Sequence, residues 1–363
     1  MMIDLINAHA KAGHKCLLIT GRLNVRDTPL DPAVRIEKII KYNRTTTFKR
    51  LATWIIGFLQ IWAKIFFRYR REKLFLVSNP PLVPLLPLFV GNSRYSILIF
   101  DVFPDALLEL GYLSETSFIV KWWKKANRKT YPEAEYIFTI SGSMEKLIRQ
   151  YSGGKAVKVV PLWTDNKFLK PLNPEENPFI EKYGLSGRFV VLYSGNIGLS
   201  GDVDVLLDIA SEIDRDDIVF LIIGDGAKKS RLAEEMKERS LTNVIMLPWQ
   251  PGPELPFSFA SAGLAVVSLG VNSSMLAIPS KLYNYLSVGA PLMCICAKGS
   301  EVENLVMQYD CGRSFEPDNI SGMVNYILEV ADNRELRRGL AQKSLAASKN
   351  YSTDNVQLFF TAQ

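Results

Sequence analysis

Two stretches in the second half of the chain repeat one arrangement: a six-residue apolar run, a turn built on glycine, then a helical pattern. Residues 189–194 lead into Gly195-Asn196-Ile197-Gly198 and a helix over 203–210; residues 218–223 lead into Gly224-Asp225-Gly226 and a helix over 228–238. Further apolar runs at 243–247, 264–268 and 292–297 continue the series. Strands that alternate with helices need crossover connections, so the pattern predicts an α/β fold with a parallel sheet. A glycine directly after a strand lets a ligand approach the backbone closely. One such turn is common in any short loop, but two at the same sheet edge mark a candidate crevice.

Residues 278–291 supply a third signal at that edge. Ile278-Pro279-Ser280-Lys281 reads as a helix entry, with Ser280 able to cap, and Gly289 and Pro291 supply the stop. Leu282, Tyr285, Leu286 and Gly289 share one face, which leaves Lys281 and Asn284 together on a polar side. The start of such a helix offers backbone N–H groups to an anion. Two readings stand at this point: an anion-binding helix, or a core helix of the α/β domain.

With 363 residues and 48% hydrophobic content the chain can bury two cores of ordinary domain size. Its charge is uneven. Residues 1–170 carry 27 Lys and Arg against 13 Asp and Glu, and the remainder carries 16 against 24. The basic half contains no nucleic-acid motif, and its positive charges are interleaved with apolar runs, which points to an anionic membrane surface rather than nucleic acid. Residues 51–67 are strongly apolar apart from a stripe of Thr53, Gly57, Gln60 and Lys64, and Arg68, Arg70, Arg71 and Lys73 follow. Seventeen residues containing a lysine are marginal for crossing a bilayer, so a helix lying in the membrane plane fits better, with a buried core helix as the alternative. Residues 118–129, with Trp122, Trp123 and five basic side chains, form a second such segment. No signal peptide is recognisable at the N-terminus.

Cys16, Cys294, Cys296 and Cys311 lack metal-ligand spacing and read as reduced and buried, which suits the cytoplasm. Only His9 and His14 are present, so a His-based triad or metal centre has little to draw on. The chain opens with a helix over 3–11 and a strand over 15–20, half of a βαβ unit. The first domain is therefore expected to lack its first strand, either because this start lies inside the natural reading frame or because the domain is unusual. Further strands are expected at 74–78, 95–100, 136–140 and 157–160. Asp101 and Asp105 follow the second of these, at the strand end where open α/β sheets place their chemistry; Asp101 also fits a simple turn cap. A linker with Pro161, Pro171, Pro174 and Pro178 precedes the second domain.

The chain resembles the retaining glycosyltransferases of family 4, two Rossmann-like domains facing each other across a cleft (GT-B). The resemblance is carried by Asp101-Val102-Phe103-Pro104-Asp105 with Leu110-Gly111-Tyr112-Leu113, Ile140-Ser141 with Met144-Glu145, Val160-Pro161-Leu162-Trp163-Thr164-Asp165, Tyr193-Ser194-Gly195-Asn196-Ile197-Gly198, Ile223-Gly224-Asp225-Gly226, Leu247-Pro248-Trp249-Gln250-Pro251, and the helix from Pro279 to Pro291. It is most similar to the branch that adds amino sugars such as fucosamine to bacterial surface polysaccharides. The resemblance implies an acceptor-binding domain at 1–170, a donor domain at 171–345, and a C-terminal helix at 346–363 that packs back toward the first domain. It assigns Gly195 and Asn196, with Gly224, Asp225 and Gly226, to the donor diphosphate side, Trp249 and Gln250 to the nucleotide base, and Ser280 and Lys281 to the phosphates. Lys281 would stabilise the leaving diphosphate, Asp101 would face the acceptor or the anomeric carbon, and Asp105 would contact substrate. Many relatives carry two glutamates eight apart; Leu276 and Asn284 stand there in this chain, and Asn284 can still hydrogen-bond a ribose hydroxyl.

The expected activity is a metal-independent, cofactor-free hexosyl or hexosaminyl transfer from a UDP-sugar to a polyprenyl-diphosphate-linked acceptor, performed at the inner face of the cell membrane in lipopolysaccharide or capsule synthesis. The Asp202-Val203-Asp204 triplet matches a metal-binding pattern of another transferase fold, but it falls at a helix start, where acidic residues are ordinary. The competing readings are a catalytically weak or inactive GT-B partner subunit and a GT-B-fold sugar-nucleotide epimerase.

Overall fold

The computed structural model describes residues 1–23, 28–43, 46–91, 94–109, 111–198, 201–270 and 278–360. The chain divides into two compact units, Met1–Pro161 with Asn355–Gln363, and Leu162–Asp354.

In the first unit, α1 (Met2–Lys11) precedes β1 (Leu17–Thr20), which pairs in parallel with β2 (Arg35–Lys38). A separate parallel sheet has the order β3 (Leu74–Val77), β4 (Tyr95–Ile99), β5 (Ile137–Thr139), β6 (Val157–Val159). Among the described residues no strand stands ahead of α1. β2 was not anticipated, because Arg-Ile-Glu-Lys is largely exposed and offers no apolar run to read. The helix α2 (Thr47–Lys64) continues through a wider π-type turn, Ile65–Tyr69. Two further helices are α3 (Phe118–Thr130) and α4 (Gly142–Arg149). Phe359 packs its ring against Phe75 and Phe138, which ties the C-terminal segment into this unit.

The second unit is one six-stranded parallel sheet. Its strands are β7 (Phe189–Asn196), β8 (Ile218–Asp225), β9 (Val244–Leu247), β10 (Leu264–Ser268), β11 (Leu292–Ile295) and β12 (Gly312–Phe315), in the order β12-β11-β10-β7-β8-β9. The runs Phe-Val-Val-Leu-Tyr and Ile-Val-Phe-Leu-Ile-Ile are apolar on both faces because helices cover both. Alternate residues enter opposite cores. Val190, Leu192 and Leu221 meet Leu282, Tyr285 and Leu286 from α7 (Lys281–Ser287). Val191, Tyr193, Phe220 and Ile222 meet Leu206 and Leu207 from α5 (Val205–Ser211) and Tyr326 from α9 (Ile320–Asp332). The remaining helices are α6 (Lys229–Glu238), α8 (Glu301–Tyr309) and α10 (Arg334–Ser348).

Residues 162–170, expected to close the first domain, instead belong to the second unit. Leu169 sits in its core, Thr164 N–H donates to the Tyr351 carbonyl, and Asn166 Nδ2 donates to the Ser348 carbonyl. Cys294, Cys296 and Cys311 are buried as expected, whereas Cys16 is only half-buried.

Candidate functional site

The chain order of the second sheet fixes where a ligand can enter. β8 and β9 add on one side of β7, then the chain crosses back and β10, β11 and β12 add on the other side. The reversal lies between β7 and β10, and open α/β sheets bind ligands at the carboxyl ends of strands flanking such a reversal. Pairing between those two strands stops at Leu192 and Ala265. Beyond that point the Ser194 N–H has no partner strand, and it donates instead to the Tyr285 hydroxyl at 2.7 Å.

The two glycine turns meet at this edge. Gly195 pairs with Gly224 and Asn196 with Asp225 across β7 and β8. A Cβ at Gly224 would lie 1.9 Å from the Gly195 carbonyl oxygen, so no other residue fits. Asp225 is exposed, and its Oδ1 accepts from the Gly226 N–H at 2.9 Å. The Tyr193 hydroxyl donates to the Asn196 carbonyl at 2.8 Å and holds the first turn from beneath.

Lys281 reaches this turn from α7. Its Nζ stands 3.6 Å from the centroid of the Tyr193 ring and 2.9 Å from where a Gly195 Cβ would be. Lys281 is half-buried as a residue, and desolvation of its ammonium pulls it down to about 7 against an opposing influence of Cys294. Among the described residues no carboxylate pairs with it. An enclosed cation without a counter-ion is costly, and an incoming anion relieves that cost.

The other sites expected on this edge differ in how free they are. Ser280 does not cap: its backbone is helical and its side chain makes no cap hydrogen bond, which leaves the hydroxyl exposed. Asn284 Oδ1 accepts from the Thr164 hydroxyl at 2.8 Å, so half of its amide is already engaged. Tyr283, not anticipated as inward-facing, is buried against the Tyr351 ring at 4.7 Å. Trp249 follows β9 with an exposed ring, and Gln250 Nε2 donates to the Pro248 carbonyl. Leu276 lies outside the described residues. Asp204 is held by Lys228 and Arg231, which lower its carboxyl pKa despite its partial burial.

In the first unit the two carboxylates part company. Asp101 stands just past β4, its N–H donating to Ser78 Oγ, and desolvation by the surrounding protein raises its carboxyl above the usual range. Asp105 is not free for a substrate in the same way. Its Oδ2 accepts from the Tyr151 hydroxyl at 2.6 Å, and Lys124 Nζ stands 3.8 Å from Oδ1.

α2 reverses the usual amphipathic arrangement. Its polar stripe faces the protein: Gln60 Oε1 accepts from the Ile40 N–H, Lys64 pairs with Glu37, and Gly57 packs against Ile39, Ile40 and Pro80. Phe48, Leu51, Ile55, Ile56 and Leu59 are consequently turned outward, joined by Phe67 beyond the helix end. The stretch Phe48–Tyr69 is long and apolar enough to cross a membrane by length and composition, with mean hydropathy 1.3. Phe118, Ile119 and Trp122 form a second exposed apolar group at the start of α3.

Comparison with known proteins accounts for the second sheet. Residues 176–345 match the model of the family described as glycosyl transferases group 1. That match falls within the second unit. Over 327 residues the chain is 24% identical to the probable glycosyltransferase WbjE of Pseudomonas aeruginosa, which covers 87% of this chain and 81% of WbjE. It is 25% identical over 267 residues to WcaI of Escherichia coli (strain K12), named as a colanic acid biosynthesis glycosyl transferase, covering 70% of this chain and 65% of WcaI. The crystal structure of Anabaena HepE in complex with UDP-glucose matches with a TM-score of 0.73 at 14% identity, over 99% of this chain and 93% of that one. The structural likeness extends an α/β fold of this kind over both units, and the glycine turns and Lys281 fall inside the segment that the family model matches.

Proposed function

We propose that this chain is a retaining, metal-independent glycosyltransferase that moves a hexosamine-type sugar from a UDP donor to a polyprenyl-diphosphate-linked acceptor during bacterial surface-polysaccharide synthesis. The observation that carries the donor site is Lys281, an enclosed ammonium with no described carboxylate partner, set beside Gly195 at the reversal of the sheet. Gly195, Asn196, Gly224, Asp225 and Gly226 line the backbone side of the diphosphate, Ser280 adds a hydroxyl, and Trp249 and Gln250 serve the base. As the glycosidic bond to the donor breaks, charge grows on the departing diphosphate, and a preset ammonium stabilises it without reorganising solvent. Asn284 offers its Nδ2 to a ribose hydroxyl, and Asp101 serves the acceptor.

The acceptor's lipid character is supported by α2, whose outward apolar face and the adjoining Arg68, Arg70 and Arg71 suit a helix lying in an anionic membrane surface at the cytoplasmic side. Calorimetry with UDP tests the donor site: wild type binds, and Lys281→Ala weakens binding at least tenfold. Silence of wild type toward UDP and other nucleoside diphosphates would sink the transferase reading. Anomeric configuration of the product by NMR tests retention, and loss of activity in EDTA with recovery in manganese would overturn metal independence. Asn284, which lacks the negative charge of a glutamate and is partly engaged by Thr164, favours a second reading, a catalytically weak partner subunit. That reading predicts UDP binding without turnover.

A further inference from the structure

We propose that Tyr193 is the positioning residue of the donor site: its ring face seats the Lys281 ammonium while its hydroxyl fixes the turn at Gly195 and Asn196. The inference rests on the reading of this edge as a nucleoside-diphosphate site and names the group that assembles it.

Tyr193 and Lys281 come from opposite sides of one sheet. The Tyr193 ring is rooted in the core formed with Leu206 and Leu207, whereas α7 is rooted in the core formed with Leu192 and Leu282. The two can meet because β7 and β10 no longer pair beyond Leu192 and Ala265, which lets the Lys281 side chain reach across the strand ends. Tyr193 on β7 presents its ring to the ammonium, and Cys294 on β11, the titratable group that acts on it from the neighbouring strand, is a buried thiol kept neutral. The ring is therefore the seat.

A ring differs from a carboxylate in this role. It attracts the cation through its quadrupole without bringing a negative charge that would repel phosphate oxygens, and the ammonium keeps donors for them. The same side chain fixes the other half of the site, because its hydroxyl donates to the Asn196 carbonyl at 2.8 Å. Gly195 completes the arrangement by leaving room: a methyl there would stand 2.9 Å from Nζ and force the ammonium to shift off its position.

UDP alone, titrated calorimetrically between pH 6 and 9, separates these roles. Tyr193→Phe keeps the ring and loses only the hydroxyl, so UDP binds about three- to tenfold more weakly at every pH, with the wild-type pH midpoint. Tyr193→Leu loses the seat, so its affinity falls to that of Lys281→Met and the midpoint moves. Gly195→Ala, which leaves both cores untouched, reproduces the loss and keeps the test decisive should Tyr193→Leu fail to fold. If Tyr193→Leu or Gly195→Ala binds UDP with the wild-type midpoint and affinity while Lys281→Met does not, the positioning role is wrong and the donor site stands. If Lys281→Met binds like wild type, or wild type does not bind, the donor-site reading falls and the inference with it.

Discussion

Lys281 is enclosed without a described counter-ion, so the free protein bears a desolvation cost whenever that side chain is charged. The consequence for stability has a definite sign. The folded-state value is lowered to about 7, below that of a lysine in an unfolded chain. Between about 7 and the ordinary lysine range the unfolded state binds more protons, so the contribution of Lys281 makes stability rise with pH there. UDP reverses the trend. The bound diphosphate favours the ammonium, so UDP affinity is greatest below pH 7 and declines above it as the proton is lost. Urea unfolding across that range, with and without UDP and with Lys281→Met as reference, measures both slopes. A Lys281→Met profile that parallels wild type in both conditions would refute the assignment.

At the scale of elements, the edge where β7 and β10 stop pairing is held by side chains in place of a ladder. Tyr285 supplies the acceptor for the Ser194 N–H, and both groups are buried. Tyr285→Phe leaves that N–H without a partner and costs about 1–3 kcal/mol in denaturant unfolding, more than an exposed tyrosine would. Gly224→Ala drives a methyl into the Gly195 carbonyl and is expected to cost more than about 2 kcal/mol and to abolish UDP binding, since the strands cannot separate without losing their pairing. The strands and glycine turns were legible in the sequence because apolar runs bounded by glycine are local signals. Tyr193 and Tyr285 were not singled out for their hydroxyls, because the groups they bond become unpaired only once the order of the strands is known. The same limit applies to α2. Its polar stripe is visible as a period in Thr53, Gly57, Gln60 and Lys64, but which side meets the protein depends on Glu37 and Ile40, which only the fold brings there. The family resemblance puts segment 162–170 in the first domain, whereas the buried Leu169 and the bonds of Thr164 and Asn166 decide otherwise.

At the scale of the whole molecule, charge and exposed apolar surface coincide in the first half of the chain, where the excess of Lys and Arg is found. Neither alone would anchor a protein well. An apolar helix face contributes roughly 25 cal/mol for each Å² buried, and each basic residue near an anionic surface roughly 1 kcal/mol. Together they would make the proposed membrane binding dependent on both lipid charge and salt. Wild type is expected to sediment with vesicles containing phosphatidylglycerol, less so at 0.5 M salt, and weakly with purely zwitterionic vesicles. Arg68, Arg70 and Arg71 changed together to Glu should reduce sedimentation with anionic vesicles, and Leu51, Ile55 and Leu59 changed together to Ser should reduce it even at low salt. These three apolar side chains point outward, so their replacement leaves the fold intact. UDP affinity, which the proposed donor site puts in the second unit, should be unchanged in both variants and serves as the folding control. Undiminished sedimentation of both variants would show that α2 is not the membrane-facing element.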